Sequence, residues 1–148
     1  HRPFRRQRQM CIRDRSYPPI LDMNEIKAPF EITGDGGSID FIPFEVNHGD
    51  MNALGFRVGD MAYLPDVFDI PPAAWQQLND LKLWIVDALR YTPHPSHAHV
   101  EKTLGWISKV KPQHTIITNM HIDLDYATFS SELPDSIEPA FDMMKVTI

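Results

Sequence analysis

The sequence is poor in cysteine and lacks long apolar runs. With only Cys11 among its 148 residues, it cannot build an internal disulfide framework, which favours a reducing compartment. No apolar run approaches the roughly 18–20 residues that a membrane-spanning helix requires. The N-terminal stretch also lacks the apolar segment of roughly 7–15 residues found in secretory signals. We therefore expect a cytoplasmic protein without a membrane partner.

The charge is unevenly distributed along the chain. The whole sequence has 14 basic and 20 acidic residues, a net charge of −6. Residues 1–16 contain six arginines and one acid, which leaves 8 basic and 19 acidic residues, about −11, for residues 17–148. A domain this acidic repels a phosphate backbone, so nucleic-acid binding by residues 17–148 is disfavoured.

The first 16 residues show neither helical nor strand periodicity. They could be a basic arm for RNA or an anionic membrane, or a disordered tail. We favour a third interpretation, because the segment MCIRDRS resembles a translated sequencing-adaptor junction. We therefore expect residues 1–16 to be a non-native or disordered tail and residues 17–148 to be a partial domain.

Strand and helix patterns alternate after the tail. The patterns predict strands at residues 29–33, 38–46, 54–58, 61–64, 81–89, 114–118 and 144–148. Pro71 and Pro72 open a short helix that runs to Asn79, and Ser96 is the expected N-cap of a helix from His97 to about Val110. A last helix begins at Asp123 or Asp125 and runs to about Leu133. This alternation predicts an α/β architecture with mixed sheets and helices outside them.

Three residues that can bind metals lie just beyond the C-terminal ends of predicted strands. His48 follows SIDFIPFEV, Asp66 follows MAYL, and His121 follows HTIIT. Ligands in α/β folds gather at such strand ends, and imidazole with carboxylate suits zinc, manganese or iron(II). A carboxylate can bridge two cations, so Asp66 between two histidines also suggests a dinuclear centre. The alternative for each residue alone is a surface histidine, or an aspartate that caps a turn.

A second cluster lies in the segment Thr92–His99, which contains three histidines. At a helix N-terminus, His97 or His94 could contact a phosphate or donate a proton. The alternative is a capped helix start with exposed histidines. We expect His99 to be solvated and His114 to be structural.

Three segments in the expected order resemble the metallo-β-lactamase-fold hydrolases related to phosphoribosyl 1,2-cyclic phosphate phosphodiesterase. They are VNHGDMNALGFRVGDMAYLPDV, DALRYTPHPSHAHVEKTLGWI and TNMHIDLDYATFSSELPDSIEPAFD. The resemblance implies the C-terminal part of a four-layer αββα sandwich with two divalent metal ions, zinc or manganese. It makes His48 and His121 metal ligands and Asp66 the bridging ligand. It also makes His97 the residue that contacts the substrate phosphate, with His94 as the alternative for that role.

The chain departs from these hydrolases in one respect, because it contains no His-x-His-x-Asp-His motif. That motif supplies most of the ligands, and its absence together with the strands that form much of the first sheet leads us to expect that this chain alone is marginally stable and inactive. For the intact protein, the resemblance implies hydrolysis of a small, cyclic phosphodiester by water activated between two metal ions. The alternatives are ester, thioester or lactone hydrolysis on the same fold, and a non-catalytic binding domain that has lost its metals. A homodimer is the default oligomeric state.

Overall fold

The computed structural model of the chain describes residues 25–26 and 28–148. The predicted tail at residues 1–16, with Cys11, lies outside these residues, as does the predicted start of the domain at residue 17. Within the described part, no helix is both long and apolar enough to cross a membrane.

Seven strands form one mixed sheet within the described residues, and their order in the sheet equals their order in the chain. The first four strands pair antiparallel, whereas the fourth to the seventh pair parallel. The strands are β1 Phe30–Gly34, β2 Gly37–His48, β3 Met51–Val58, β4 Met61–Leu64, β5 Leu83–Asp87, β6 His114–Thr118 and β7 Ile137–Pro139.

Each connection between two parallel strands contains a helix. Parallel strands begin at the same end of the sheet, so the chain must cross back over the sheet before the next strand can start. A 3-10 helix, Pro72–Leu78, lies between β4 and β5. Helix α1, Val100–Val110, connects β5 to β6, and α2, Tyr126–Glu132, connects β6 to β7. The mixed sheet and its crossover helices confirm the predicted α/β class.

One face of the sheet carries the apolar core. Since successive strand residues point to opposite faces, the register places one row of side chains across this face. Leu64, Val86 and Ile117 of that row are buried in one cluster with Trp106 of α1 and Phe129 of α2. The helices therefore cover this face and fix the spacing of the strands that lead to the site.

The opposite face is also apolar but is only partly covered. Phe30 stacks on Phe41 with ring centroids 5.2 Å apart, and Phe56 meets both rings edge-on at 6.3 Å. Beyond these rings, Ile32 and Ile39 pair across β1 and β2 and are 53% and 51% exposed. The described residues thus leave much of this second apolar face open to solvent.

Two boundary predictions are wrong. Helix α1 begins at Val100 with His99 as its N-cap, so neither Ser96 nor His97 belongs to it. The final strand is Ile137–Pro139, and residues 144–148, where the apolar pattern predicted a strand, have no regular structure. The helix predicted at Pro71 and Pro72 is a 3-10 helix, and the N-cap of α2 is Asp125, one of the two predicted positions.

Candidate metal centre

The C-terminal ends of four strands lie at one edge of the sheet. Strands β4, β5 and β6 are parallel neighbours, and β2 runs in the same direction because both β2 and β4 are antiparallel to β3. His48 is the last residue of β2, and Asp66 follows β4 by two residues. Asp87 is the last residue of β5. Loops at such an edge converge while the strands hold them in place.

Three side chains meet at this edge. One ligand atom each from His48, Asp66 and His97 lies within 4.8 Å of the other two, the one such group among the described residues. The rings of His48 and His97 pack edge to face, with centroids 4.5 Å apart. Both histidines are partly buried, whereas Asp66 is exposed. Within the described part of the chain the Asp66 carboxylate has no hydrogen bond or ion pair, so it is available to a cation.

His48 is held in place by the backbone of the neighbouring loop. Its Nδ1 lies 2.6 Å from the carbonyl oxygen of Ser96. A carbonyl oxygen only accepts hydrogen bonds, so Nδ1 donates and Nε2 keeps its lone pair. Ser96, which the sequence pattern predicted to cap a helix, thus orients His48 through its main-chain carbonyl group.

Asp87 links three loops of the site through one carboxylate. Oδ2 lies 2.7 Å from His97 Nδ1 and accepts the Val67 N–H at 3.2 Å. Oδ1 accepts from the Asn119 amide at 3.3 Å, and Asn119 has a left-handed φ of 61° that asparagine tolerates. Burial raises the pKa of the Asp87 carboxyl, and the hydrogen bond from His97 opposes that rise. These contacts join the loops that follow β4 and β6 to the segment before α1.

Asp87 is the residue to which the sequence pattern assigned no role. The pattern places it at the C-terminal end of a buried strand, and the structure confirms that place. The available signal was the strand LWIVD itself, in which four apolar residues precede one acid. A carboxylate that ends such a strand is buried and therefore needs hydrogen-bond donors from its neighbours.

His94 stands beside the group of three. Its ring centroid is 5.3 Å from that of His97, and its Nδ1 accepts the Ser96 backbone N–H at 3.3 Å. Partial desolvation lowers the pKa of His94, and the positive charge of Arg90 lowers it further. The neutral imidazole is therefore favoured near neutral pH.

The remaining histidines lie outside this group. His121 is about half exposed, with Nδ1 3.1 Å from the Asp123 carboxylate, so its proposed role as a metal ligand stays a prediction. His99 is the N-cap of α1 instead of lying inside the helix. His114 Nε2 lies 2.7 Å from Glu138, consistent with the structural role expected for it.

The residues present fit a divalent cation. Zinc ligands stand about 2.0–2.2 Å from the ion, hence roughly 3.3 Å from one another in a tetrahedral site. The ligand atoms of the three residues lie within 4.8 Å of one another, and modest side-chain movement would shorten these separations to that value. Two imidazoles and one carboxylate suit zinc, manganese or iron(II), and carboxylate or carbonyl partners hold both rings at Nδ1.

We expect Gly49→Ala to disturb the position of His48. Gly49 has φ +67°, and an added Cβ would lie 3.0 Å from Ser96 Cβ and 3.1 Å from Pro95 O. The left-handed backbone alone costs roughly 1–2 kcal/mol, and the close approach adds to this cost. Chemical unfolding measures the loss of stability.

Gly59→Ala is the matched control, since Gly59 has φ +55° and an added Cβ there would meet nothing within 4 Å. The difference between the two variants isolates the contact with the Ser96 loop. Equal losses in Gly49→Ala and Gly59→Ala would show that this contact does not matter.

Comparison with known proteins places the chain in one superfamily. The family described as "Beta-lactamase superfamily domain" matches residues 4–122. A solved structure, a new diphosphatase from the PhnP family, is 30% identical with a TM-score of 0.84 and covers 96% of this chain. The short form of human tRNase Z, at 13% identity and TM-score 0.58, covers 81% of this chain and supports the fold alone.

The matched proteins are longer than this chain. The chain spans 55% of the diphosphatase and 47% of tRNase Z. An octanoyltransferase of Porphyromonas gingivalis (strain ATCC BAA-308 / W83) is 28% identical over 142 residues, which is 92% of this chain but 28% of that protein. Most of the octanoyltransferase therefore lies outside the match, and its name alone does not assign acyl transfer to the matched part.

Proposed function

The chain belongs to the β-lactamase superfamily and has the metallo-β-lactamase α/β fold. We therefore propose that it functions as part of a metal-dependent hydrolase of small, cyclic phosphodiesters. The observation that carries the proposal is the convergence of His48, Asp66 and His97 at the C-terminal edge of the sheet. The similar diphosphatase supports a phosphorus-centred substrate. Diphosphates and phosphodiesters both present a phosphorus atom with negatively charged oxygens.

The residues that we propose would hold the metal ions, zinc or manganese, are His48, Asp66 and His121. When bound, two divalent cations lower the pKa of a water molecule and offset charge on the phosphate oxygens. Asp87 holds the His97 ring through Nδ1. His97 or His94 then donates a hydrogen bond to the phosphate, or a proton to the leaving alkoxide.

A direct test is the hydrolysis of bis(p-nitrophenyl) phosphate by the 148-residue chain and by the longest product of its gene, with and without Mn²⁺ or Zn²⁺. We expect metal-dependent turnover in the longer product and little in the 148-residue chain, which has no His-x-His-x-Asp-His motif. Asp66→Ala should lower turnover by at least about 100-fold, since it removes a ligand and not merely a supporting partner. His114→Ala is the matched control, because it removes a histidine that is bound to Glu138.

The outcome also separates the alternatives. Metal-dependent cleavage of p-nitrophenyl octanoate without cleavage of the phosphodiester would favour ester, thioester or lactone hydrolysis. Absence of metal-dependent turnover on either substrate, or unchanged turnover in Asp66→Ala, would leave a non-catalytic binding domain as the better interpretation.

The remaining parts of the proposal follow from the sequence. A cytoplasmic location fits the single cysteine of the chain. A small-molecule substrate, instead of nucleic acid, fits the acidic charge of residues 17–148. A homodimer is proposed as the default assembly of such proteins.

A further inference from the structure

A closed loop of residues 90–99 stands at the edge of the site. Its two ends are joined, because the Leu89 N–H donates to Ala98 O and the Val100 N–H donates to Arg90 O, both at 3.0 Å. A compact loop of this length with adjacent ends is an Ω-loop, a kind of surface segment that frequently carries function. We call it the histidine loop, because two histidines of the site lie on it.

The second half of the histidine loop is fixed to the sheet, whereas the first half is not. Ser96 O accepts from His48, and His97 Nδ1 lies 2.7 Å from the Asp87 carboxylate. In the first half, Arg90 donates to two carbonyl oxygens of the same loop, at 3.2 and 2.9 Å. These two bonds shape the bend of the loop but do not attach it to another element.

Tyr91 attaches the first half to helix α2. Its hydroxyl donates to the Glu132 carboxylate at 2.5 Å, and its ring meets the Phe129 ring edge-on with centroids 6.0 Å apart. Across the residues that the structure describes, no other side-chain hydrogen bond or ion pair joins residues 90–94 to another element. The hydrogen bond to Glu132 raises the pKa of Tyr91, so the hydroxyl keeps the proton that it donates.

Helix α2 is itself held by the core. Phe129 is 1% exposed and belongs to the apolar cluster, and Asp125 caps the helix by accepting the Thr128 N–H at 2.9 Å. Phe129 and Glu132 are three residues apart and therefore neighbours on one face of the helix. Tyr91 thus contacts a face whose position is set by the core.

We propose that Tyr91 is a positioning residue, which holds the histidine loop on α2 through Glu132 and Phe129 and thereby sets where His94 and His97 stand. The inference rests on the proposed function in one respect, because it takes one of these histidines as the contact to the phosphate. The contact between the loop and α2 is a property of the chain and exists with or without turnover.

The first test observes imidazole rings of the 148-residue chain in Tyr91→Phe, which keeps the ring and removes the hydroxyl. Long-range ¹⁵N–¹H spectra report the hydrogen that His48 Nδ1 donates to Ser96 O and the hydrogen that His97 Nδ1 shares with Asp87. We expect both hydrogens to exchange with solvent about 10-fold faster, as for the loss of one hydrogen bond to a charged group. The reason is that the freed loop draws Ser96 and His97 away from their partners.

Tyr126→Phe is the matched control. Tyr126 lies on the same helix and is 43% exposed, against 44% for Tyr91, and its hydroxyl makes no hydrogen bond within the described part of the chain. We expect unchanged spectra in this variant.

Glu132 tests the same contact from its other side. Glu132→Ala should reproduce the effect of Tyr91→Phe, and it takes the place of that variant if Tyr91→Phe does not fold. Glu132→Gln keeps an acceptor oxygen and should therefore retain most of the protection. Because the two residues act as a pair, Tyr91→Phe combined with Glu132→Ala should exchange no faster than either single variant.

A second test measures hydrolysis of bis(p-nitrophenyl) phosphate by the longer gene product. Tyr91→Phe should lower kcat by about 10-fold and leave KM nearly unchanged, because it misplaces a proton donor without removing a contact to the substrate. Tyr126→Phe should leave both constants unchanged.

Unchanged imidazole spectra in both Tyr91→Phe and Glu132→Ala would overturn the inference, as would equal changes in Tyr126→Phe. A rise in KM at unchanged kcat in Tyr91→Phe would also contradict a positioning role. Absence of turnover in the unchanged longer product would instead count against the proposed function, and the spectra would still decide the role of Tyr91.

Discussion

Asp87→Ala is expected to destabilise the chain and to loosen the site at the same time. The substitution leaves the His97 ring and the Val67 N–H without their acceptor in a place where the Asp87 side chain is fully buried. Removing one partner of such a buried polar network costs about 3–5 kcal/mol. Denaturant unfolding should show this loss, and turnover by the longer gene product should fall by about 100-fold, the lower end of what a positioned proton donor contributes.

Asp87→Asn separates the two effects. The amide keeps the size of the carboxylate and one acceptor oxygen, so Val67 or Asn119 can retain a partner. Its NH₂ group cannot accept from His97, which favours the other tautomer of the ring. We therefore expect a smaller loss of stability than in Asp87→Ala but a similar loss of turnover. Full stability and full turnover in both variants would contradict the role assigned to Asp87.

Gly55→Ala is expected to lower stability by about 1–3 kcal/mol through overpacking. Gly55 lies in β3 between Phe44 of β2 and Leu64 of β4. An added Cβ would lie 2.7 Å from Phe44 Cζ and 2.9 Å from Leu64 Cδ1, closer than such atoms approach. Relief requires the buried Phe44 and Leu64 side chains to shift. These residues belong to β2 and β4, the strands that lead to His48 and Asp66. Thermal unfolding and Co²⁺ titration measure the two consequences.

Two variants control this experiment. Gly105 lies inside α1 with nothing within 4 Å of an added Cβ, so Gly105→Ala should stabilise the chain by up to about 1 kcal/mol. Phe44→Leu combined with Gly55→Ala should recover part of the loss, because the smaller side chain makes room. If Gly55→Ala alone melts at the unchanged temperature, the neighbouring side chains adjust freely and the crowding argument fails.

The sheet was predictable from sequence wherever the pattern of apolar residues reflects burial. The six strands from β1 to β6 were all predicted, and LWIVD was recognised as buried because it is almost continuously apolar. The last strand was misplaced for the converse reason. Val146 and Ile148 are apolar but are 38% and 60% exposed, so the apolar pattern there does not reflect burial. The true last strand, β7, was missed because it is short and contains Pro139, which sheets tolerate only at an edge.

The site was predictable in its strand ends and less so in its loops. His48 and Asp66 stand where the ends of β2 and β4 place them, and their role as ligands remains a prediction. Ser96 looked like a helix cap because a hydroxyl residue precedes a helical pattern, yet α1 begins four residues later. Pairings such as Asp87 with His97 join separate loops, and residue spacing along one chain contains no information about them.

The strand order described above also has a consequence for how the chain folds. Because each strand pairs with the one before it in sequence, every new strand finds its partner already formed as the chain is synthesised. Pairings between neighbours in sequence close short loops first, which lowers the entropy cost of each step and speeds folding. The hairpins from β1 to β4 can thus template the parallel strands. The last contacts to form are then those of β7 and α2, after the strand ends bearing His48, Asp66 and Asp87 are already aligned.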